Sequence, residues 1–220
     1  MSITSCGDGQ QSKTSDGDET AAGPSNVKRG AKPEVDAEVA VIETDYGRIV
    51  IELYPNIAPK MVERFKTLIK EGFYNGTGFH RVNPRTGVVQ GGDPNSKDTD
   101  PTNDGGGDSP YPDVAGEFSD IPFDKGIVGA ARQGERPGFG GQPGLTKEQA
   151  YDTANCQFYI TLSRVPQWDA EYTVFGRVIE GMNNVQVIAG APTRPGSENP
   201  EEKIVMKSVT LQPRANFQKP

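Results

Sequence analysis

Residues 40–53 read AVIETDYGRIVIEL and contain the pattern that decides the fold. Two runs rich in Val and Ile, 40–44 and 48–53, flank the short polar segment DYG at 45–47. β-branched runs separated by a short segment that contains glycine are typical of a β-hairpin. We therefore predict a pair of antiparallel strands near the start of the folded domain.

The remainder of the chain adds many short strand patterns and only two helical ones. Residues 57–71 have apolar side chains at helical spacing, with a proline near the start and a glycine after the end, and 182–189 predict a shorter helix. Further strand-like runs lie at 78–82, 88–90, 126–131, 157–162, 173–179 and 203–211. This inventory predicts a mainly β fold, a closed or nearly closed antiparallel barrel.

Two long loops interrupt the strands, at 93–125 and 133–154. Loops of this length in a compact domain are usually functional or mobile. Thr146 and Gln149 have the spacing of a capping box, which predicts one helical turn inside the second loop. Residues 100–105 partly fit a calcium loop, but Tyr111 stands where the closing glutamate should be, so a solvated polar loop is the preferred interpretation.

Residues 1–35 are rich in Ser, Gly, Asp and Thr and poor in large apolar side chains. Such a segment buries too little surface to offset the entropy of ordering, so we predict a disordered tail or tether. The folded domain is expected to span 36–213, followed by a short tail at 214–220. Cys156 opens an apolar run and is interpreted as a small buried residue, and no disulfide to Cys6 is expected.

The segment ITSC at 3–6 resembles the lipobox of bacterial lipoproteins, in which a lipid-modified cysteine follows small residues. No apolar signal segment precedes it, so this interpretation requires that a signal peptide has been removed. A chance match in a Ser-rich tail is the equal alternative. An acidic domain behind a polar tether favours the periplasm or thylakoid lumen, where a lipid on Cys6 would anchor it to the membrane; the cytoplasm is the alternative.

Several classes of function are disfavoured by composition and motif. A net charge of −7 argues against a nucleic-acid partner, and no apolar run approaches the roughly 20 residues of a membrane span. His80 is the single histidine and has no credible nucleophile to serve. The glycine-rich stretch at 138–144 fits no phosphate-binding fingerprint. We expect neither a cofactor nor a metal.

Several blocks, taken in order, resemble the cyclophilin family of peptidyl-prolyl cis-trans isomerases. They are FHRV at 79–82, QGGD at 90–93, GIVGAAR at 126–132, CQFYI at 156–160, Trp168, and VFGRVIEGM at 174–182. The resemblance covers about residues 40–211 and implies a closed eight-stranded antiparallel barrel capped by two α-helices, with a groove on its outer face. It also implies a monomer that acts on proline-containing polypeptides.

The resemblance implies a role for each of nine side chains. Arg81 would be catalytic, stabilising the twisted amide. Substrate would be bound by the remaining eight: Val88, Tyr159 and Trp168 around the proline, Gln90, Ala131, Arg132 and Gln157 along the peptide backbone, and Tyr172 at the rim. Taken one by one, such residue types are as often ordinary packing or surface residues.

The sequence also departs from the family pattern, mostly around the proline pocket. The departures are one extra residue before Gln90, Gly87-Val88 in place of Phe-Met, Arg132 for Asn, Tyr159 for Phe, no leucine after Trp168, and Tyr172 for His. We therefore expect a shallower pocket, weaker activity and weakened affinity for the inhibitor cyclosporin. The alternative function is a tethered proline-peptide-binding or scaffold module with weak catalysis.

Overall fold

The computed structural model describes residues 24–85, 87–140 and 143–217. The hairpin predicted at 40–53 is confirmed: its strands pair antiparallel, with Thr44 opposite Gly47. The eight strands are β1 Glu38–Thr44, β2 Gly47–Leu53, β3 Gly78–Asn83, β4 Val88–Asp93, β5 Ile127–Ala130, β6 Phe158–Thr161, β7 Val174–Glu180 and β8 Ser208–Pro213. Every pairing between these strands is antiparallel.

The sheet does not close into the barrel that the sequence predicted. Its strand order is β3-β4-β6-β5-β7-β2-β1-β8, which leaves β3 and β8 at opposite edges of a curled, open half-barrel. The chain ahead of β8 crosses beside β3 instead, where Phe79 N–H donates to the Ile204 carbonyl at 2.9 Å and Gly78 bridges Val205. The strand predicted at 203–211 therefore begins only at Ser208.

In the described ranges three α-helices accompany the sheet: α1 Pro59–Lys70, α2 Lys147–Ala150 and α3 Met182–Ala189. The helix predicted at 57–71 begins at Pro59, whose missing N–H is not needed in the first turn. Phe65 of α1 reaches into the core, 5.1–5.3 Å from the rings of Tyr74, Phe158 and Phe175. The short α2 carries the predicted capping box, with reciprocal bonds between Thr146 and Gln149.

The two ends of the described chain are attached to the domain. Residues 24–35, assigned to the tail from composition, include Lys28, whose amine donates to the carbonyls of Asn56 at 3.0 Å and Ile57 at 2.8 Å. Composition misses this because the segment is held largely by hydrogen bonds, among them those of the Lys28 N–H to the Phe118 carbonyl at 2.8 Å and of the Gly30 N–H to Asp120 at 2.7 Å. Phe217 packs on a cluster of valines in β1 and β2. Cys6 lies outside the described residues.

The acidic loop that partly fits a calcium motif uses its carboxylates as acceptors for N–H groups of the protein. Asp98 accepts from the Asp100 N–H at 2.7 Å, and Asp100 accepts from the Thr102 N–H at 2.9 Å. Within the described ranges no three His, Cys, Asp or Glu side chains are grouped so as to hold a metal. No helix among those residues is long and apolar enough to cross a membrane.

Candidate functional site

Arg81 lies on β3 directly opposite Gln90 on β4. This register brings the Arg81 Nη1 within 3.4 Å of the Gln90 Oε1. The Nε of the same guanidinium donates to Glu198, which lies on the segment ahead of β8. The Arg81 side chain is 40% exposed, so the guanidinium is held at two points and still reaches the surface.

A chain of amide hydrogen bonds continues from Gln90 across the sheet. Gln90 Nε2 donates to Gln157 Oε1 at 3.1 Å. Gln157 Nε2 donates in turn to the carbonyls of Gly105 at 3.1 Å and Gly107 at 2.9 Å. Because each amide is oriented by the next, the polar residues form one connected network that ends on the 93–125 loop.

Ala131 and Arg132 lie beside this network, just after β5. The Ala131 N–H donates to the Gln157 carbonyl at 2.9 Å. A cavity of about 340 Å³ is lined by both residues together with Gln90 and Gln157. The structure thus brings together the four side chains predicted to bind a peptide backbone.

Arg132 is fixed by aromatic rings rather than by an acid. Its guanidinium carbon lies 4.3 Å from the ring centre of Tyr172 and 5.0 Å from that of Tyr151, distances at which cation–π attraction operates. Tyr151 Oη also donates to Glu171 at 2.8 Å, and Lys147 Nζ pairs with Glu171 at 3.1 Å. These contacts attach the end of the 133–154 loop to the rim of the site.

The apolar residues predicted for the proline pocket form a separate aromatic cluster. Tyr159 lies 5.2 Å from Trp168 and 5.9 Å from Tyr172, ring centre to ring centre. Val88 and Tyr159 are only 1% and 4% exposed, whereas Trp168 and Tyr172 are half-buried. The cluster therefore offers the surface mainly the faces of Trp168 and Tyr172.

The Tyr159 hydroxyl is buried and has no hydrogen-bond partner in the described part of the chain. Space for it comes from Gly129, since a Cβ at that position would lie 2.5 Å from the hydroxyl oxygen. Burial raises the pKa of the Tyr159 hydroxyl well above its ordinary value, so the group stays neutral. An unpaired hydroxyl in an apolar cluster lowers the stability of the fold.

His80 is 7% exposed, and its ring lies beside the loop at Gly105, where a Cβ would come within 3.7 Å of it. Neither ring nitrogen has a hydrogen-bond partner among residues with a described position. Burial lowers the pKa of the imidazole, and Arg81 lowers it further, against the attraction of Asp93 and Asp104. The ring is therefore neutral near pH 7 and is not poised to transfer a proton.

Two residues of the site were missed in the sequence. Phe123 stacks on Tyr159 at 6.2 Å and packs edge-on to Trp168 at 6.1 Å, and Glu198 holds Arg81. Phe123 lies near the end of the long 93–125 loop, and Glu198 lies in a polar segment between α3 and β8. Neither position has a local pattern that singles it out, because both contacts join distant parts of the chain.

Comparisons with known proteins identify a family for this chain. The family described as "Cyclophilin type peptidyl-prolyl cis-trans isomerase/CLD" matches residues 39–211. A probable peptidyl-prolyl cis-trans isomerase of Brucella suis is 35% identical over 81% of this chain and 84% of its own. The isomerase ppi1 of Schizosaccharomyces pombe is 35% identical over 77% of this chain and 97% of its own.

A solved structure is also similar. It is a cyclophilin type peptidyl-prolyl cis-trans isomerase from Cryptosporidium parvum, crystallised in the presence of the dipeptide Ala-Pro. It aligns with a TM-score of 0.63 and 28% identity, covering 79% of this chain and 98% of the other.

Proposed function

Because this chain belongs to the family of cyclophilin-type peptidyl-prolyl cis-trans isomerases and catalyses rotation about X-Pro bonds, we propose that Arg81 accelerates that rotation. The observation that supports this most is the placement of its guanidinium, held between Glu198 and Gln90 at the surface end of the amide network.

Rotation about an X-Pro bond needs no nucleophile, because no σ bond breaks. The barrier of about 18–20 kcal/mol comes from amide resonance. In the twisted transition state the proline nitrogen becomes pyramidal and more basic, so a fixed donor aimed at it stabilises that state more than the planar ground states. The guanidinium of Arg81 is always charged, and Glu198 and Gln90 engage two of its five N–H donors.

The required rate acceleration determines by how much the activation barrier must be lowered. Uncatalysed exchange takes tens to hundreds of seconds, so reaching about 10³ per second means lowering the barrier by roughly 7 kcal/mol. One charge-assisted hydrogen bond supplies part of this. Fixing the peptide backbone along the amide network, so that the proline nitrogen faces the guanidinium, supplies the remainder.

The substrate side of the proposal divides between the two parts of the site. Gln90, Ala131, Arg132 and Gln157 bind the peptide backbone along the 340 Å³ cavity. The proline ring lies on the aromatic cluster, where Val88 and Tyr159 form the base and Trp168 and Tyr172 form the exposed walls. Since the base is almost fully buried, the pocket is shallow, and cyclosporin affinity should be weakened.

Partners are therefore proline-containing polypeptides, and the Ala-Pro dipeptide of the C. parvum structure is a suitable minimal probe. Two-dimensional exchange NMR on an Ala-Pro peptide with catalytic protein should give cis–trans cross-peaks absent in buffer. The same peptide with Ala in place of Pro is the matched control for binding without isomerisation. Line broadening without exchange cross-peaks would contradict the proposal and support a binding module instead.

A further inference from the structure

Glu198 lies on the segment between α3 and β8 that crosses beside the edge strand β3. Its backbone is attached to that strand, since the Val82 N–H donates to the Glu198 carbonyl at 2.8 Å. Val82 directly follows Arg81 in the sequence. The glutamate is thus fixed beside the arginine by the same kind of bond that builds the sheet.

The Glu198 carboxylate joins two side chains of β3. One oxygen accepts from the Arg81 Nε and the other from the Asn83 Nδ2. Burial raises the pKa of Glu198, but the bonds from Arg81 and Asn83 outweigh it and hold the pKa below its ordinary value. The group is therefore charged near neutral pH and able to keep both contacts.

The neighbouring residues form a turn that holds Glu198 in place. The Arg194 N–H donates to the Asn199 carbonyl at 2.9 Å, and the Ser197 N–H donates to the Arg194 carbonyl at 3.0 Å. Asn199 Nδ2 reaches the 93–125 loop, at Pro101 O and Asp104 Oδ2. The carboxylate is therefore presented by a bonded frame rather than by a free loop.

We propose that Glu198 is a positioning residue of this isomerase, fixing the Nε edge of the Arg81 guanidinium so that its Nη groups face the X-Pro bond. The proposal rests on the catalytic role of Arg81 argued above. Arginine loses considerable rotamer freedom when ordered, and a carboxylate that orders it before substrate arrives removes that loss from the catalytic step. A bond to Nε, rather than to both Nη groups, leaves donors for the substrate.

Replacing Glu198 tests this. Glu198→Ala should lower kcat by roughly tenfold to a hundredfold with KM unchanged, because a misplaced catalytic group affects the transition state more than binding. Glu198→Gln keeps an acceptor oxygen and should recover most of that kcat. Glu202→Ala removes an exposed glutamate from the same segment and should have no effect.

A spectroscopic readout separates positioning from general stability. In the wild type the Arg81 Nε–Hε resonance should be sharp and protected from solvent exchange; Glu198→Ala should broaden it, while melting temperature changes little. If Glu198→Ala keeps wild-type kcat, or exceeds it, the carboxylate does not position the arginine. A loss of kcat that Glu198→Gln fails to recover would contradict the proposal equally.

The Arg81→Ala variant distinguishes failure of this inference from failure of the underlying function. If Glu198 acts through Arg81, adding Glu198→Ala to Arg81→Ala should cause no further loss of kcat. A further loss in the double variant would overturn the positioning role alone. An Arg81→Ala variant as active as the wild type would remove the catalytic role of Arg81 itself.

Discussion

The polar and apolar parts of the candidate site differ in how their polar groups are paired. The polar part consists of Arg81, Gln90 and Gln157, and each of these side chains has a hydrogen-bond partner 2.9–3.4 Å away. Arg81 also donates to the carboxylate of Glu198. The apolar part contains Tyr159, which is buried among three aromatic rings, and its hydroxyl has no partner among the residues whose positions are described.

This difference shows which part of the reaction the fold favours. Preorganised donors act on the transition state, whereas exposed apolar surface determines how tightly proline binds. A rigid donor network beside a shallow aromatic base therefore predicts an enzyme that turns over bound substrate well but binds it weakly. In the proposed mechanism each half contributes differently to the kinetics, so variants in the two halves should change different kinetic parameters.

The largest expected effect comes from removing the arginine at the end of the polar half. Arg81→Ala should lower kcat by roughly a hundredfold to a thousandfold, as removal of a transition-state donor does. Stability should change little, since the side chain is 40% exposed. Exchange NMR measures the rate and thermal unfolding the stability. Arg85→Ala, an exposed arginine nearby, is the control and should leave both unchanged.

The next effect comes from the apolar half. Trp168→Ala should raise KM roughly tenfold, because losing about 1.4 kcal/mol of contact with the proline ring weakens binding by that factor. The rate at saturation should remain close to that of wild type. Phe139→Ala removes an aromatic ring that is 88% exposed on the 133–154 loop and should leave KM unchanged. An unaltered KM in Trp168→Ala would exclude Trp168 from the pocket.

A smaller effect sharpens the contrast between paired and unpaired buried hydroxyls. Tyr159→Phe should stabilise the fold by about 1 kcal/mol, because it removes an unpaired polar group. Tyr74→Phe should destabilise it by about 1 kcal/mol, because the buried Tyr74 hydroxyl donates to the Cys156 carbonyl at 2.8 Å. Urea unfolding measures both, and changes of the same sign would contradict the comparison.

The smallest effect is a pH dependence that originates at His80. Its pKa is lowered in the folded state, so the unfolded chain takes up the proton first as pH falls below about 6.5. Stability should therefore be full above that pH and decline below it until the folded pKa is reached. Urea midpoints at about pH 7.5 and 5.5 measure the decline, which His80→Asn should remove. Equal wild-type midpoints would show that the ring is not buried in its neutral form.

Local sequence patterns predicted the elements that depend on residues close together in the chain. The β1–β2 hairpin, the α1 helix and the capping box at Thr146 each depend on residues a few positions apart. The docking of Lys28 and the contact of Glu198 with Arg81 join residues 28 and 117 positions apart, and the open edge of the sheet depends on the distant contact of Phe79 with Ile204. No alternation or capping signal records such contacts, so only the three-dimensional arrangement reveals them.

The candidate site also has features that the sequence predicted and others that depend on long-range contacts. Family resemblance pointed to the side chains from Arg81 to Tyr172, and the fold places them in an amide network and a neighbouring aromatic cluster. The resemblance could not indicate that Tyr159 leaves its hydroxyl unpaired, since this depends on the ring stacking beside Gly129. Nor could it identify Phe123, which reaches the cluster from the end of a long loop.

The separation of catalysis from binding is tested most directly by exchange NMR on one Ala-Pro peptide with Arg81→Ala and Trp168→Ala side by side. We expect Arg81→Ala to bind the peptide as wild type does but to exchange it at least a hundredfold more slowly when saturated. We expect Trp168→Ala to bind more weakly and to keep the saturated rate. If both variants change the affinity and the saturated exchange rate in the same way, the polar and apolar halves of the site do not have separate roles.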